Sequence, residues 1–108
     1  MKLTELRKLL AKALREKKKF IEVEPGGRGS YDFEYDPTYE LEVGGDTLRL
    51  EDQWCGESQN SGYCYRQFIS AGENSWRVEN LDGVSRKLLD KIPIASDADI
   101  EKEFADVL

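Results

Sequence analysis

The stretch YCYRQFISAGENSWRVENLDGV, residues Tyr63–Val84, decides the fold. Its first half carries apolar or aromatic side chains on both faces of a strand, namely Tyr63, Tyr65 and Ile69 on one face and Cys64 and Phe68 on the other. The segment SAGEN contains turn residues, and Trp76 and Val78 lie on the strand that returns. We therefore expect a β-hairpin, with its first strand covered on both sides, at the centre of the fold.

The residues before this hairpin show the period of two that is typical of strands. Apolar or aromatic side chains occupy alternate positions, and acidic side chains fill most of the positions between them. The predicted segments are strands over 20–24, 31–36, 39–43 and 48–50, a Gly-rich loop over 25–30, a turn over 44–46 and a longer loop over 51–62 that Trp54 anchors. This pattern predicts a half-buried antiparallel meander.

Helices are predicted near both ends of the chain. Leucine and alanine recur at steps of three and four over residues 3–18, with Thr4 as the cap. Ser96 is predicted to cap a final helix. The apolar face of that helix consists of Ile100, Phe104, Val107 and Leu108. Residues 85–92 are ambiguous between a further strand and a short helix, and Pro93 ends either one.

The order of these segments predicts an α+β protein. The chain of 108 residues has the length of one domain, so residues 1–108 are expected to form a single domain. A small antiparallel curled sheet, or an SH3-like barrel, flanked by an N-terminal and a C-terminal helix fits the order of elements.

Charge is distributed unevenly along the chain. The net charge is −6, but residues 1–19 carry eight basic and two acidic side chains, whereas residues 20–60 carry two basic and eleven acidic ones. An acidic balance argues against direct binding of duplex nucleic acid, because phosphates must be neutralised by Lys and Arg. The sequence contains neither an apolar run of membrane-spanning length nor a signal-peptide pattern, so we expect a cytoplasmic protein without membrane contact.

The cysteine and histidine content restricts the chemistry. The chain has two cysteines, Cys55 and Cys64, and no histidine. Free thiols are favoured, and a disulfide between them stays open as the alternative. A zinc site is not expected, because tetrahedral zinc requires about four nitrogen or sulfur ligands. Cys64 lacks a histidine base, and the carboxylates alternate with core residues, so we predict a non-enzymatic protein without a cofactor.

The central hairpin carries the first candidate site. Arg66 and Arg77 are interleaved with aromatic residues, and this combination is suited to holding an anionic group or stacking a base. The candidate ligand-binding residues are Arg66, Arg77, Tyr63, Tyr65 and Trp76. The alternative is that the aromatics pack in the core with the arginines at its rim. The Gly-rich loop PGGRGS is expected to be a hairpin turn rather than a phosphate site, because no helix follows it.

The acidic meander carries the second candidate site. Its partner-binding residues are Asp32, Glu34, Asp36, Glu40 and Glu42. Side chains on one face of a strand repeat at about 6.7 Å, which is within reach of the spacing of phosphates along a nucleic-acid strand. Such a row is suited to imitating nucleic acid in the basic groove of a partner. The alternative is an ordinary solvated face.

Three segments resemble the WYL domain, an Sm/SH3-like β-barrel of bacterial regulators and defence-related proteins. They are LRKLLAKALREKKKFIEVE, GYCYRQF and WRVENLDGVSRKLLDKIPI. In the last segment, Arg77, Leu81, Asp82 and Val84 match the family's Arg-x-Phe-Arg-Leu-Asp-Arg-Ile pattern, whereas Glu79, Asn80 and Gly83 replace its Phe and two of its Arg residues. The resemblance implies a barrel with two helices.

Two hypotheses of function follow. The first is a non-enzymatic binding or regulatory module that acts through the Tyr63–Trp76 hairpin on a small anionic ligand or a protein partner. The alternative is an acidic inhibitor or nucleic-acid mimic, of the immunity or anti-defence type, that acts through the Asp32–Glu42 meander. The sequence leaves the oligomeric state open.

Overall fold

The structure, a computed structural model, describes residues 2–29, 34–54 and 65–95. In chain order the elements are α1 (Leu3–Arg15), β1 (Ile21–Glu24), β2 (Gly27–Arg28), β3 (Glu34–Tyr35), β4 (Thr38–Val43), β5 (Asp46–Trp54), β6 (Tyr65–Ala71), β7 (Asn74–Arg77), a 3₁₀ helix (Val78–Asn80) and α2 (Gly83–Lys91). Five strands form an antiparallel sheet in the order β1-β4-β5-β6-β7, and β2 pairs with β3. The α+β class is confirmed, and the sheet is not closed.

Helix α1 forms because its apolar residues fall on one side. Leu6, Leu10 and Ala13 are fully buried. The helix ends at Arg15, before the predicted end at residue 18, because Lys17 adopts a left-handed φ of 56°. The N–H of Lys18 then donates to the carbonyl of Ala13 at 2.9 Å, which closes the last turn. The predicted cap was wrong, since Thr4 lies inside the helix.

The five-stranded sheet has one covered face and one exposed face. In register, Leu41 lies opposite Leu48, Leu48 opposite Ala71, and Leu50 opposite Ile69. These side chains belong to one core cluster with α1 and α2. The cluster comprises Leu6, Leu10, Ala13, Phe20, Leu41, Val43, Leu48, Leu50, Ile69, Ala71, Val78, Leu89 and Ile92. Both helices therefore pack on the same face, and side chains one position along each strand point away from it.

Strand β5 extends further than the sequence predicts. Glu51 to Trp54 were predicted to be loop, but they pair with Tyr65 to Phe68 of β6. The prediction was wrong because EDQW lacks apolar alternation, and cross-strand pairing rather than burial holds these residues. Val78 also differs from the prediction, because it begins the 3₁₀ helix instead of continuing β7.

Helix α2 resolves the ambiguity over residues 85–92 in favour of a helix. Asp82 is its N-cap, and its side chain accepts a hydrogen bond of 2.9 Å from the N–H of Ser85. After α2, the chain runs beside Phe20, whose N–H donates to the carbonyl of Pro93 at 2.9 Å. This contact brings the chain after α2 back to the segment that leaves α1.

Several predictions lie outside the described residues. They concern Tyr63, Asp32, the two cysteines, and the final helix after Ser96. Among the described helices, none combines the length and the apolar character that a membrane crossing requires.

Candidate functional site

The exposed face of the sheet carries Arg66 and Arg77. Its other side chains follow from the register and are Ile21 and Glu24 of β1, Thr38, Glu40 and Glu42 of β4, Thr47, Arg49, Glu51 and Gln53 of β5, Phe68 and Ser70 of β6, and Ser75 of β7. Phe68 lies half-buried between Glu51 and Arg77 on the neighbouring strands. One aromatic ring therefore sits among charged side chains, and the exposed Ile21, opposite Glu40, is a second apolar side chain on this largely polar face.

Arg66 and Arg77 converge on a single carboxylate. Arg77 forms an ion pair with Glu79 of the 3₁₀ helix, and the Nε of Arg66 lies 3.7 Å from the same Oε1 atom. The Glu79 side chain is half exposed, at 51%, so water reaches the carboxylate that the two guanidinium groups share. Arg66 is also held by its Nη1, which donates to the carbonyl of Tyr65 at 3.1 Å. We call Arg66, Arg77 and Glu79 the arginine site.

A shallow groove adjoins the arginine site. It has a volume of about 160 Å³ and is lined by Arg66, Gln67, Val78, Glu79 and Arg86. Arg86 itself pairs with Asp90 at 3.2 Å on the surface of α2. Guanidinium groups hold carboxylates and phosphates by charge and by directed N–H donors. The arrangement is thus able to hold one anionic group in place of, or beside, the Glu79 carboxylate.

The candidate aromatic residues lie on the opposite face. Tyr65 packs against Tyr35 and Trp54, with ring centroids 5.0 and 5.2 Å apart. Trp76 packs against the core cluster. Gly29 lies against the Tyr65 hydroxyl so closely that an added Cβ would overlap it. The structure therefore brings Arg66 and Arg77 together and separates both from Tyr65 and Trp76, while Tyr63 is outside the described residues.

The acidic candidates do not form one row. Glu40 and Glu42 lie on the exposed face of β4. Glu34 belongs to the separate two-stranded sheet, where it pairs with Arg28 at 3.3 Å. Asp36 lies between β3 and β4, and its backbone N–H donates to Asp52 at 2.6 Å. Asp32 is outside the described residues, so the structure places two of the five candidates side by side.

The exposed face contains a charged cluster that sequence reasoning missed. Arg49 contacts Glu24, Glu40 and Glu51 at 3.2, 3.1 and 3.3 Å. Burial favours a lower pKa for Arg49, but hydrogen bonds to Glu51 and Glu24 outweigh it and raise the pKa. A signal was present, since Arg49 is the only basic residue between Arg28 and Arg66. A single arginine among many carboxylates is expected to form ion pairs with several of them.

The comparisons with known proteins add no family. No protein-family model, no curated protein and no solved structure matches this chain. The resemblance to the WYL domain therefore stays a prediction from the sequence. Within residues 2–29, 34–54 and 65–95, no group of three or more Cys, Asp or Glu side chains is arranged to hold a metal ion.

Proposed function

We propose that this protein is a non-enzymatic binding module that uses its exposed sheet face to bind a protein partner, with the arginine site receiving an anionic side chain of that partner. The observation that carries the proposal is the convergence of Arg66 and Arg77 on the half-exposed carboxylate of Glu79. Two guanidinium groups on neighbouring strands of a rigid sheet form a preorganised anion site.

The size of the adjoining groove supports a protein partner over a free small molecule. Pockets that enclose small ligands have volumes of roughly 300–1,000 Å³, whereas this groove has about 160 Å³. It has room for a single carboxylate or phosphate group rather than for a nucleotide. The rest of a partner would lie on the sheet, where the half-buried Phe68 offers an apolar contact next to the arginines. Aromatic residues and arginines are enriched at protein interfaces.

Glu79 acts as an internal occupant of the site in this proposal. The carboxylate of Glu79 is half exposed, whereas the Nε of Arg77 that faces it is buried. A carboxylate from a partner would take over the contact with Arg77 that Glu79 gives up, so the buried Nε would not be left without an acceptor. Glu79 lies in the middle of the short 3₁₀ helix Val78–Asn80, whose Val78 is held in the core, so only the exposed Glu79 side chain would turn away to admit the partner's carboxylate.

The experiment is an NMR titration with sodium phosphate and, separately, sodium acetate, which follows the arginine Nε–H resonances and the backbone amides of Gln67 and Glu79 beside the groove. We expect saturable shifts for Arg66 and Arg77, and loss of binding in Arg66→Ala/Arg77→Ala. Arg28→Ala is the matched control, because Arg28 also pairs with one glutamate but lies on the other sheet. Saturable shifts of the backbone amides of Gln67 and Glu79 that survive in Arg66→Ala/Arg77→Ala would contradict the proposed anion site.

The acidic inhibitor is the second candidate function. It is supported by the four glutamates that surround or adjoin Arg49 on the exposed side of the sheet, namely Glu24, Glu40, Glu42 and Glu51. Arg49 neutralises part of this charge, so these four glutamates imitate phosphates less well than a row of glutamates without ion pairs would. Binding of an oligolysine peptide that is lost in Glu40→Lys/Glu42→Lys, but kept in Arg66→Ala/Arg77→Ala, would favour this alternative.

A further inference from the structure

A second and larger groove runs along the basic helix α1. It has a volume of about 400 Å³ and is lined by Glu5, Lys8, Leu9, Lys12, Arg15, Gly44 and Asp46. We call it the helix groove. It is independent of the arginine site, because the two grooves share no lining residue.

The helix groove presents three cations along one stripe of α1. Lys8, Lys12 and Arg15 follow one another at steps of four and three residues, so they lie on the same side of the helix. None of the three makes an ion pair within the described part of the chain. Glu5 and Asp46 also line the groove, which leaves an excess of one positive charge. A protein of net charge −6 thus has a small local excess of positive charge in this groove.

The β4–β5 turn forms the other wall of the groove. Gly44 and Gly45 adopt left-handed φ angles of 60° and 80°, as a tight hairpin turn requires. A Cβ on Gly44 would lie 3.4 Å from Leu9 and 3.6 Å from the Nζ of Lys12. The bare turn therefore approaches the helix closely and keeps the groove narrow, with the half-buried Leu9 as an apolar contact between the cations.

We infer that the helix groove binds an acidic peptide segment of a protein partner, with an apolar side chain of the peptide on Leu9. Carboxylates on one side of an extended peptide repeat at about 6.7 Å, and Lys8 and Lys12 are about 6 Å apart along the helix axis. An apolar contact suits a peptide better than a phosphate chain. The negative net charge also disfavours a long polyanion, whereas a short segment meets mainly the local cations.

The test is fluorescence anisotropy with a short fluorescein-labelled peptide of glutamates around one central leucine. We expect wild-type protein to bind it, and Lys8→Glu/Lys12→Glu to bind at least about tenfold more weakly. The matched control is Lys87→Glu/Lys91→Glu, which makes the same change in charge on the exposed side of α2 and is expected to bind as wild type does. Lys8→Gln/Lys12→Gln provides a milder variant in case the charge reversal disturbs α1, and circular dichroism checks the fold of each protein.

Four outcomes would overturn the inference. The first is no binding by the wild-type protein, and the second is equal binding by the wild type and Lys8→Gln/Lys12→Gln. The third is binding of an oligothymidylate as tightly as the peptide, which would make the groove a nucleic-acid site. The fourth is peptide binding only after removal of residues 96–108, whose acidic and apolar sequence would then be the natural occupant. Loss of binding in Arg66→Ala/Arg77→Ala, with Lys8→Gln/Lys12→Gln unaffected, belongs to the second outcome and would assign the peptide to the arginine site.

Discussion

Arg7 of α1 and Asp82, the N-cap of α2, form an ion pair of 3.0 Å that ties the two helices together. Ser85 lies between them and is fully buried. Its hydroxyl donates to Asp82 at 2.9 Å, and it accepts a hydrogen bond from the Nε of Arg7 at 3.5 Å. One carboxylate thus caps a helix and fixes the contact between the two helices on the covered face of the sheet.

Asp82→Asn is expected to make the thermal stability of the protein vary less with pH in the acidic range. Hydrogen bonds from the backbone and side chain of Ser85, followed by Arg7, lower the pKa of Asp82 from 3.8 to about 2. Because the folded-state pKa is depressed, the carboxylate stabilises the fold fully above pH 3.8, and this contribution is lost as the pH falls through about 2. At neutral pH we expect Asp82→Asn to lower Tm by about 3 °C, since asparagine still caps α2 but no longer pairs with Arg7.

The control for this prediction is Asp90→Asn, which makes the same change in charge on the exposed surface of α2. Thermal unfolding of the three proteins between pH 7 and pH 2 measures the effect. The difference between wild type and Asp82→Asn should shrink towards pH 2. A difference that is constant over this range would show that the ion pair with Arg7 is not the cause.

Arg49→Gln is expected to destabilise the protein by about 1–2 kcal/mol, because it leaves three neighbouring glutamates without their common cation. Urea unfolding measures the effect. Added salt should restore part of the lost stability by screening the repulsion between Glu24, Glu40 and Glu51. Arg28→Gln is the control, because its single pair with Glu34 is exposed and should change stability by less than about 0.5 kcal/mol. Equal losses in the two variants would contradict a cluster centred on Arg49.

Gly26→Ala is expected to destabilise the protein by about 1–3 kcal/mol. A Cβ at Gly26 would lie 2.6 Å from the carbonyl oxygen of Tyr35 and 3.0 Å from the nitrogen of Pro37, both of which are backbone atoms. Gly83→Ala is the matched control, since a Cβ there meets nothing within 4 Å at the first residue of α2. The control should be neutral or more stable by up to about 1 kcal/mol, because alanine favours the helix. Urea unfolding of both variants decides whether the chain before β2 packs as closely against the end of β3 and the β3–β4 connection as described.

Glu79→Gln is expected to bind phosphate or acetate roughly two- to fivefold more tightly than the wild type, because the internal competitor of the arginine site loses its charge. The NMR titration of Arg66 and Arg77 measures this affinity. Glu73→Gln is a suitable control, since it makes the same change in charge on the exposed β6–β7 turn. An unchanged affinity in Glu79→Gln would mean that Glu79 does not occupy the position of the bound anion.

Local patterns predicted most of the fold. The period of two located β4 and β6, and the steps of three and four located α1, because the burial of one face imposes those periods. The second half of β5 was missed because EDQW is held by pairing with β6, which no local pattern reports. Helix α2 stayed ambiguous because residues 85–92 are too few to distinguish the helical period of 3.6 from the strand period of two. A signal for its start was present, since Asp82 caps the helix by accepting a hydrogen bond from the N–H of Ser85.

The candidate site was predictable only in part. A period of two places Tyr65 and Arg66 on opposite faces, so the separation of the arginines from the aromatic rings follows from the strand prediction itself. The convergence of Arg66 and Arg77 on Glu79 was not predictable, because it depends on the chain leaving β7 at Val78 and entering a 3₁₀ helix. The Arg49 cluster likewise depends on the register of β1, β4 and β5, which sequence periodicity does not supply.

The contact between α1 and α2 has a consequence for the order of folding. Strands β4 to β7 pair in chain order, whereas Arg7 and Ser85 are 78 positions apart. Contacts between distant residues form late, because the loop between them must first close. In pulsed hydrogen exchange we expect amides of β4–β7 to be protected before those of α1, and simultaneous protection would contradict this order. During synthesis, α1 is translated before the sheet, whereas α2, which packs against it, is translated after the sheet. The leucines of α1 therefore remain accessible to chaperones until α2 has been made.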